Sequence, residues 1–242
     1  MRIAVLSDIH GNLEALEAVL SDIERIGADA IHSLGDIVGY GPNPGACVEI
    51  VQGRAAVSLL GNHDAAVAGL AALEEFNEFA RWAVEWTAAR LPAWQIEYLA
   101  ALPFAHRAPG MISVHASPVE PERWHYIHGA ADLGEPFAAF AERICFVGHS
   151  HRPGVYAVGG ARPAALRGGG ERLRAGVRYL INAGSVGQPR DRDPRAAYVL
   201  YDDRDDGYVE IRRVSFPVEL TQQRMRAAGI PAFLVDRLSA GV

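Results

Sequence analysis

The chain has 242 residues, of which half are apolar and about a fifth are charged, a balance typical of a globular protein with a substantial core. Its formal net charge of −6 argues against a general nucleic-acid-binding protein, which usually presents a basic surface. No run approaches the roughly 20 apolar residues that span a bilayer. The N-terminal apolar run ends at Ser7-Asp8, too early for a secretory signal. We therefore expect a cytoplasmic protein without a membrane partner.

The first 60 residues alternate between strand and helix patterns. The apolar runs predict strands at 3–6, 30–34 and 55–60. A first helix is predicted after Asn12, a capping residue, and ends near Gly27, and a short second helix covers 46–51. Strands that alternate with helices indicate parallel βαβ units. In such sheets, ligands bind beyond the carboxyl ends of the strands.

The remainder of the chain reads as a helical segment followed by short strands. Residues 65–102 have helical spacing with a break at Pro92, and we interpret them as a helical insertion or cap within a single domain that covers 1–242. Further strands are predicted at 111–114, 144–147, 155–158, 178–181, 197–201 and 209–214. Links such as Gly168–Gly170 and the 202–207 turn favour antiparallel meanders, and the tail from Pro217 has helical spacing. The economical architecture is an α/β fold in which two mixed β-sheets pack face to face with helices outside, a four-layer α-β-β-α sandwich.

Five short segments, each after an apolar run, carry residues that bind metals. They are Asp8-Ile9-His10, Gly35-Asp36, Gly61-Asn62-His63-Asp64, His115 and Gly148-His149-Ser150-His151. Because the carboxyl ends of neighbouring parallel strands lie together, these side chains are expected to converge. Their mixture of oxygen and nitrogen ligands suits divalent cations. The absence of thiolates among them argues against a structural zinc cluster, and Cys47 and Cys145 are predicted to be buried thiols.

In this order the segments resemble the calcineurin-like metallophosphoesterase superfamily, whose pattern is D-x-H, G-D, G-N-H-D/E, H and G-H-x-H. The resemblance extends from Arg2 to about Tyr201. It implies a binuclear centre of divalent transition-metal ions, with manganese as the first choice and iron, zinc, nickel or cobalt as alternatives. The first ion would be bound by Asp8, His10, Asp36 and His151, and the second by Asp36, Asn62, His115 and His149. His63 matches the family's proton donor and Asp64 its orienting partner.

The same resemblance implies the hydrolysis of a small phosphoester by a metal-bridging hydroxide, with His63 as general acid. In the superfamily's serine/threonine phosphatases and dinucleoside tetraphosphatases an arginine follows the second aspartate, and here Tyr40 stands in its place. The stretches 35–44 and 182–190 look more like the compact bacterial and archaeal phosphodiesterase branch. Diester hydrolysis, with nucleotide-derived compounds among the candidate substrates, is therefore our first interpretation. A phosphomonoesterase and a non-catalytic interaction scaffold stay open as alternatives.

Some polar residues near these motifs have two interpretations. Arg190, Arg192 and Arg195 either contact substrate phosphate or form local ion pairs with the aspartates between them. His125 and His128, which follow Trp124, either line the cleft or have surface and packing roles. The sequence does not decide between these interpretations.

Overall fold

The computed structural model describes residues 1–159, 164–166 and 169–242. The N-terminal part contains β1 (Arg2–Leu6), α1 (Leu13–Ile26), β2 (Ala30–Ser33), α2 (Pro44–Arg54) and β3 (Val57–Ser58). The middle part contains α3 (Asn62–Val67), α4 (Glu78–Ala88), α5 (Ala93–Ala100), β4 (Ala105–Ala108), β5 (Met111–Val114), α6 (Gly134–Ala138) and β6 (Ile144–Val147). The C-terminal part contains β7 (Gly154–Val158), β8 (Ala164–Leu166), β9 (Glu171–Arg172), β10 (Arg178–Asn182), β11 (Ala196–Asp202), β12 (Tyr208–Val214), α7 (Val218–Ala227) and α8 (Ala232–Ala240).

Within the described residues the strands form two mixed, six-stranded sheets, which confirms the predicted fold class. The strand order is β3-β2-β1-β11-β12-β9 in the first sheet and β4-β5-β6-β10-β7-β8 in the second. In the first sheet β1, β2 and β3 are parallel, whereas β11 runs antiparallel to β1. The carboxyl ends of β1, β2 and β3 therefore lie along the same edge of the first sheet.

The prediction of antiparallel meanders is right for only part of the C-terminal region. The pairs β7–β8 and β11–β12 are antiparallel, but β5, β6 and β10 are parallel to one another. Long connections, rather than tight turns, join β5 to β6 and β6 to β10, so each strand can return in the same direction. Gly168 of the predicted Gly168–Gly170 link lies outside the described residues.

Alternate side chains of β1 pack into two different apolar clusters, one on each face of the first sheet. Ile3 and Val5 of β1 face the second sheet, in the same apolar cluster as Phe146 of β6. Ala4 and Leu6 face the opposite side and pack in the cluster that contains α1. Because successive side chains of a strand point to opposite faces, β1 is buried on both sides. The helix therefore forms an outer layer against the sheet.

The helix α1 forms where its caps and spacing predict it. The side chain of Asn12 accepts a hydrogen bond from the main-chain N–H of Ala15, and Gly27 ends the helix with a left-handed φ of 73°. Leu16, Val19, Leu20 and Ile23, at spacings of three and four residues, are buried, whereas Leu13 is partly buried. Cys47 and Cys145 are free and buried, as predicted.

The segment 65–102 is not helical throughout, in contrast to the prediction. Helix α3 ends at Val67, Gly69 takes a left-handed φ of 74°, and α4 begins only after Asn77, whose side chain caps it. Pro92 separates α4 from α5 as predicted. The predicted strand at 55–60 is reduced to the two paired residues of β3. That 65–102 acts as a cap over a site stays a prediction.

The tail after Pro217 forms α7 and α8, and their buried side chains pack with those of α4. Among the helices in the described ranges, none is both long enough and apolar enough to cross a membrane.

Candidate metal centre

The structure brings the predicted metal-binding residues together from both sheets. Asp8, Asp36 and Asn62 follow the parallel strands β1, β2 and β3 of the first sheet, and His115, His149 and His151 follow β5 and β6 of the second. Candidate ligand atoms lie within 4.8 Å of one another in three groups: Asp8, His10 and His151; His10, Asp36 and His63; and Asp36, His115 and His149. The carboxyl ends of the strands therefore converge, as expected for ligand sites in parallel sheets.

Each of the two aspartates divides its oxygens between two tasks. Asp8 Oδ2 accepts the main-chain N–H of His149 at 2.9 Å, while its Oδ1 lies 3.2 Å from Nε2 of His151. Asp36 Oδ1 accepts the main-chain N–H of His63 at 2.9 Å, while its Oδ2 lies 3.4 Å from Nε2 of His115. One oxygen thus holds a neighbouring loop, and the other faces the imidazoles.

Main-chain oxygens fix the orientation of three of the imidazoles. Their Nδ1–H groups donate as follows: His10 to Val38 (2.9 Å), His115 to Leu34 (3.0 Å) and His151 to Gln188 (2.6 Å). Because a carbonyl oxygen only accepts, Nδ1 carries a proton, and each of these rings, when it is neutral, has its lone pair on Nε2. The Nε2 atoms of His10 and His151 lie 3.2 Å apart. Two lone pairs that face each other at this distance suit a cation between them.

Burial keeps most of these imidazoles in the neutral form that binds metals. It lowers the pKa of His149 to about 3 and holds the pKa of His10 well below its usual value. His115 differs: burial lowers its pKa, but the charge of Asp36 outweighs burial and raises the pKa to about 9. Burial also raises the pKa of Asp36, yet the charges of His115 and His63 hold it well below its usual value. The carboxylate is therefore ionised.

Several buried polar atoms at this centre lack hydrogen-bond partners among the described residues. They are Asp8 Oδ1, Asn62 Oδ1, His115 Nε2 and His149 Nε2. A buried polar atom without a partner is costly unless another group binds it. Carboxylate, amide and imidazole atoms together fit divalent metal ions.

The backbone of the centre is strained where the ligands lie. Five of the seven predicted ligands have left-handed φ angles: Asp8 (54°), His10 (50°), Asp36 (53°), His149 (63°) and His151 (57°). Such conformations are uncommon for residues other than glycine and concentrate at functional sites. Glycines provide the space: a Cβ atom on Gly61 would lie 2.1 Å from Asp36 Oδ1, and one on Gly148 would lie 2.7 Å from Asp8 Oδ2.

His63 and Asp64 are both buried beside the centre, but their side chains serve different partners. The Asp64 carboxylate accepts the main-chain N–H groups of Val38 (3.1 Å) and Gly61 (3.2 Å). His63 Nδ1 is buried and has no hydrogen-bond partner within the described part of the chain. Asp64 therefore joins the two loops around His63 through the main chain. That it orients His63, and that His63 is the acid, stay predictions.

A cleft of about 610 Å³ opens onto the metal centre through Asn62, His63 and His149. Aromatic side chains that the sequence did not assign to the site line it: Phe76, Phe79, Tyr126 and Phe233, together with Trp124. Arg123, Arg190 and Arg237 also line it. These residues come from separate segments, and no motif connects them in the sequence, so only the fold shows that they share one cleft.

The structure separates the residues whose roles the sequence leaves open. Arg190 lines the cleft, whereas Arg195 forms an ion pair with Asp193, and Arg192 does not contribute to the cleft as far as the described residues show. His125 and His128 line a neighbouring depression of about 660 Å³ instead.

Comparisons with known proteins agree with this architecture. A sequence model of the calcineurin-like phosphoesterase superfamily domain matches residues 1–206. An uncharacterised protein of Methanocaldococcus jannaschii is 39% identical over 243 residues, which cover 99% of this chain and 98% of the relative. The crystal structure of a metallophosphoesterase from Sphaerobacter thermophilus is 45% identical, covers 100% of this chain and 99% of its own, and superposes with a TM-score of 0.87.

A hypothetical protein from Pyrococcus horikoshii shares the fold at lower identity. Its crystal structure superposes with a TM-score of 0.80 at 19% identity, over 100% of this chain and 98% of its own. The family model covers most of the sequence, and it includes every predicted metal ligand, from Asp8 to His151. The chain therefore belongs to the calcineurin-like phosphoesterase superfamily.

Proposed function

We propose that this protein hydrolyses phosphodiesters with a pair of divalent metal ions bound by Asp8, His10, Asp36, Asn62, His115, His149 and His151. The observation that carries the proposal is the set of histidines whose Nδ1–H groups are held by main-chain oxygens. Their Nε2 atoms face the free oxygens of two buried aspartates. Asp36 lies in one ligand group with His10, a predicted ligand of the first ion, and in another with His115 and His149, predicted ligands of the second, which supports its role as the ligand shared by both ions.

When bound, the metal ions would activate water and stabilise negative charge on the phosphoryl oxygens. Oxygen and nitrogen ligands without thiolate suit manganese, iron, zinc, cobalt and nickel. Among these, manganese is our first choice.

His63 is the proposed general acid that protonates the leaving oxygen. Its side chain lines the cleft next to Asn62, which supports the proposal because a general acid must lie within reach of the leaving group. A candidate ligand atom of His63 also lies within 4.8 Å of those of His10 and Asp36. The metal content of a His63 variant therefore tests whether His63 acts as an acid or as a metal ligand.

The shape of the cleft supports a diester from the nucleotide class. A cleft of about 610 Å³ has room for a second ester substituent beside the phosphoryl group. Tyr126 and Phe233 each expose about half of their surface (52% and 53%) along it. Exposed aromatic rings are suited to stack against a base.

The experiment is a substrate panel combined with metal analysis. Diesters, monoesters, cyclic nucleotides and dinucleoside polyphosphates are assayed with each candidate metal, with Asp36→Asn as the inactive control. We expect bound metal and the fastest turnover with diesters. Faster turnover of monoesters would favour the phosphomonoesterase. Absence of both bound metal and hydrolysis with manganese supplied would favour the scaffold and contradict the proposal.

His63→Ala tests the acid separately. We expect a loss of about 10²–10⁴-fold in turnover of alkyl esters, a smaller loss for aryl esters, whose leaving groups need little protonation, and an unchanged metal content. His106→Gln, which changes a histidine outside the ligand groups, serves as the control. A loss of metal from His63→Ala would identify His63 as a ligand. Hydrolysis of aryl and alkyl esters as fast as by the parent would contradict the acid role.

A further inference from the structure

The side chain of Arg190 is fixed at the edge of the metal centre by one neighbouring residue. Its Nε and Nη2 atoms both donate to Gln188 Oε1, at 3.2 Å and 2.8 Å. Gln188 is itself only 1% exposed. Its main-chain oxygen accepts the Nδ1–H of His151 at 2.6 Å, and the main-chain N–H of Arg190 donates to the oxygen of His151 at 3.2 Å. Gln188 therefore forms hydrogen bonds both with the guanidinium of Arg190 and with the candidate ligand His151.

The guanidinium faces the cleft and the rings beside the centre. Its Cζ atom lies 5.8 Å from the ring centroid of Tyr40. The Tyr40 ring in turn lies 4.6 Å from the ring of His63 and 4.7 Å from the ring of His10, between centroids. Arg190, Tyr40 and His63 all line the same cleft. A phosphoryl group at the metal centre would thus lie next to Arg190.

Among the side chains that the structure describes, no carboxylate forms an ion pair with Arg190; its sequence neighbours Asp191 and Asp193 pair with Arg213 and Arg195. Its side-chain partner, Gln188, is neutral. A second guanidinium, that of Arg237, lines the same cleft and donates its Nε–H to the main-chain oxygen of Val242. Burial and the charge of Arg190 lower the pKa of Arg237 to about 10. Two like charges in one cleft favour the binding of an anion.

We propose that Arg190, positioned by Gln188, binds the non-bridging oxygens of the substrate's phosphoryl group beside the metal centre. The proposal rests on the proposed function, since it concerns the same cleft and an anionic phosphoester. A guanidinium presents several N–H groups in a planar fork that matches phosphate oxygens. Gln188 occupies Nε–H and one N–H of Nη2, which leaves N–H groups of the fork for the ligand. Arg190 contacts substrate, and Gln188 acts as a positioning residue.

The test measures the binding of inorganic phosphate to the metal-loaded protein by calorimetry, with metal content and steady-state kinetics measured in parallel. The variants are Arg190→Gln and Gln188→Met. The matched control is Arg195→Gln, which removes a positive charge from the same loop but from a side chain that is 51% exposed and paired with Asp193.

We expect Arg190→Gln to weaken phosphate binding by about ten- to a hundredfold, as the loss of a charge-assisted hydrogen bond predicts. Its KM should rise while the metal content is unchanged. Gln188→Met should show a smaller effect in the same direction, because the arginine is present but less well held. Arg195→Gln should bind phosphate as the parent does.

Each alternative outcome has a clear meaning. Phosphate affinity in Arg190→Gln equal to that of the parent overturns the inference, and so does a parent protein that binds no phosphate. A loss of metal in parallel with the loss of phosphate also overturns it, since the arginine would then act through the metal centre. If the parent binds phosphate through Arg190 but hydrolyses no ester, the arginine site stands and the proposed function fails.

Discussion

At the scale of single residues, the centre depends on positions that tolerate no side chain. A Cβ atom on Gly148 would lie 1.9 Å from Ser7 Oγ and 2.7 Å from Asp8 Oδ2. Both neighbours are fully buried, so neither can move away freely. The glycine allows the loop that carries His149 to approach Asp8 closely enough for the hydrogen bond between them. The position therefore links main-chain packing to ligand geometry.

We predict that Gly148→Ala destabilises the protein by about 1–3 kcal/mol through overpacking and weakens metal binding because Asp8 is displaced. Gly53→Ala is the matched control: Gly53 lies in α2, and beyond its own helix backbone an added Cβ would meet no atom of the described residues within 4 Å. There we expect a gain of about 0.5–1 kcal/mol from helix propensity. Denaturant unfolding and metal titration of both variants check this. An unchanged metal affinity in Gly148→Ala would contradict the argument.

At the scale of elements, a network of polar groups ties α1 to the first sheet. Asp22 of α1 accepts hydrogen bonds from the hydroxyl of Tyr198 on β11 (2.7 Å) and from Nε of Arg212 on β12 (2.8 Å). Burial raises the pKa of Asp22, but its hydrogen bonds to Arg212, Tyr198 and Arg25 outweigh burial and lower the pKa to about 2. The ionised carboxylate is thus stabilised by folding.

We predict that Asp22→Asn lowers the free energy of unfolding at pH 7 by about 2 kcal/mol, which corresponds to the shift of its pKa from 3.8 to about 2. Because the folded pKa is below the unfolded one, this stabilisation is complete above about pH 4. It is lost as the pH falls from 3.8 to about 2, so the difference between variant and parent should shrink there.

Asp236→Asn is the control for this prediction, because its side chain is 71% exposed and lies 3.4 Å from Arg226 in a surface pair. Such pairs contribute little, so we expect a change below about 0.5 kcal/mol. Denaturant unfolding between pH 2.5 and 7 measures both variants. A pH-independent deficit in Asp22→Asn would show that the carboxylate contributes packing rather than charge.

At the scale of the whole molecule, the candidate metal centre draws its residues from both sheets. Asp8 and Asp36 follow strands of the first sheet, and His115 and His149 follow strands of the second. A metal ion bound by these residues would therefore link the two sheets in addition to the sandwich core. A ligand that binds only the folded protein stabilises it by mass action.

We predict that removing metal with a chelator lowers the melting temperature, and that restoring free metal to about a hundred times its Kd recovers about 2.7 kcal/mol. For a chain of this size that corresponds to roughly 5–10 °C. The Asp36→Asn variant should respond less, because it lacks the shared ligand. Calorimetric melting with and without manganese measures the difference, and an equal response of the variant and parent would contradict the role of Asp36.

Much of the fold followed from local patterns. The bounds of β5 and β6 agree with the apolar runs, and Asn12 and Gly27 mark the ends of α1. Parallel pairing of β5, β6 and β10 was not predicted, because the direction of a strand depends on its partners and on long connections. The loop between α3 and α4 was missed as well, since apolar spacing alone does not show where one helix stops.

The sequence by itself determined the family and predicted the candidate metal ligands that the structure brings together, because these residues lie in short motifs that directly follow strands. Only the tertiary structure decided which other groups share their cleft. Arg190 faces the cleft while Arg195 pairs with Asp193, although the two lie five positions apart in one loop. Phe233 joins that cleft from α8, far along the chain. The spacing of residues along the chain indicates which residues of one helix or strand share a face. The walls of a cleft, in contrast, depend on how separate elements pack.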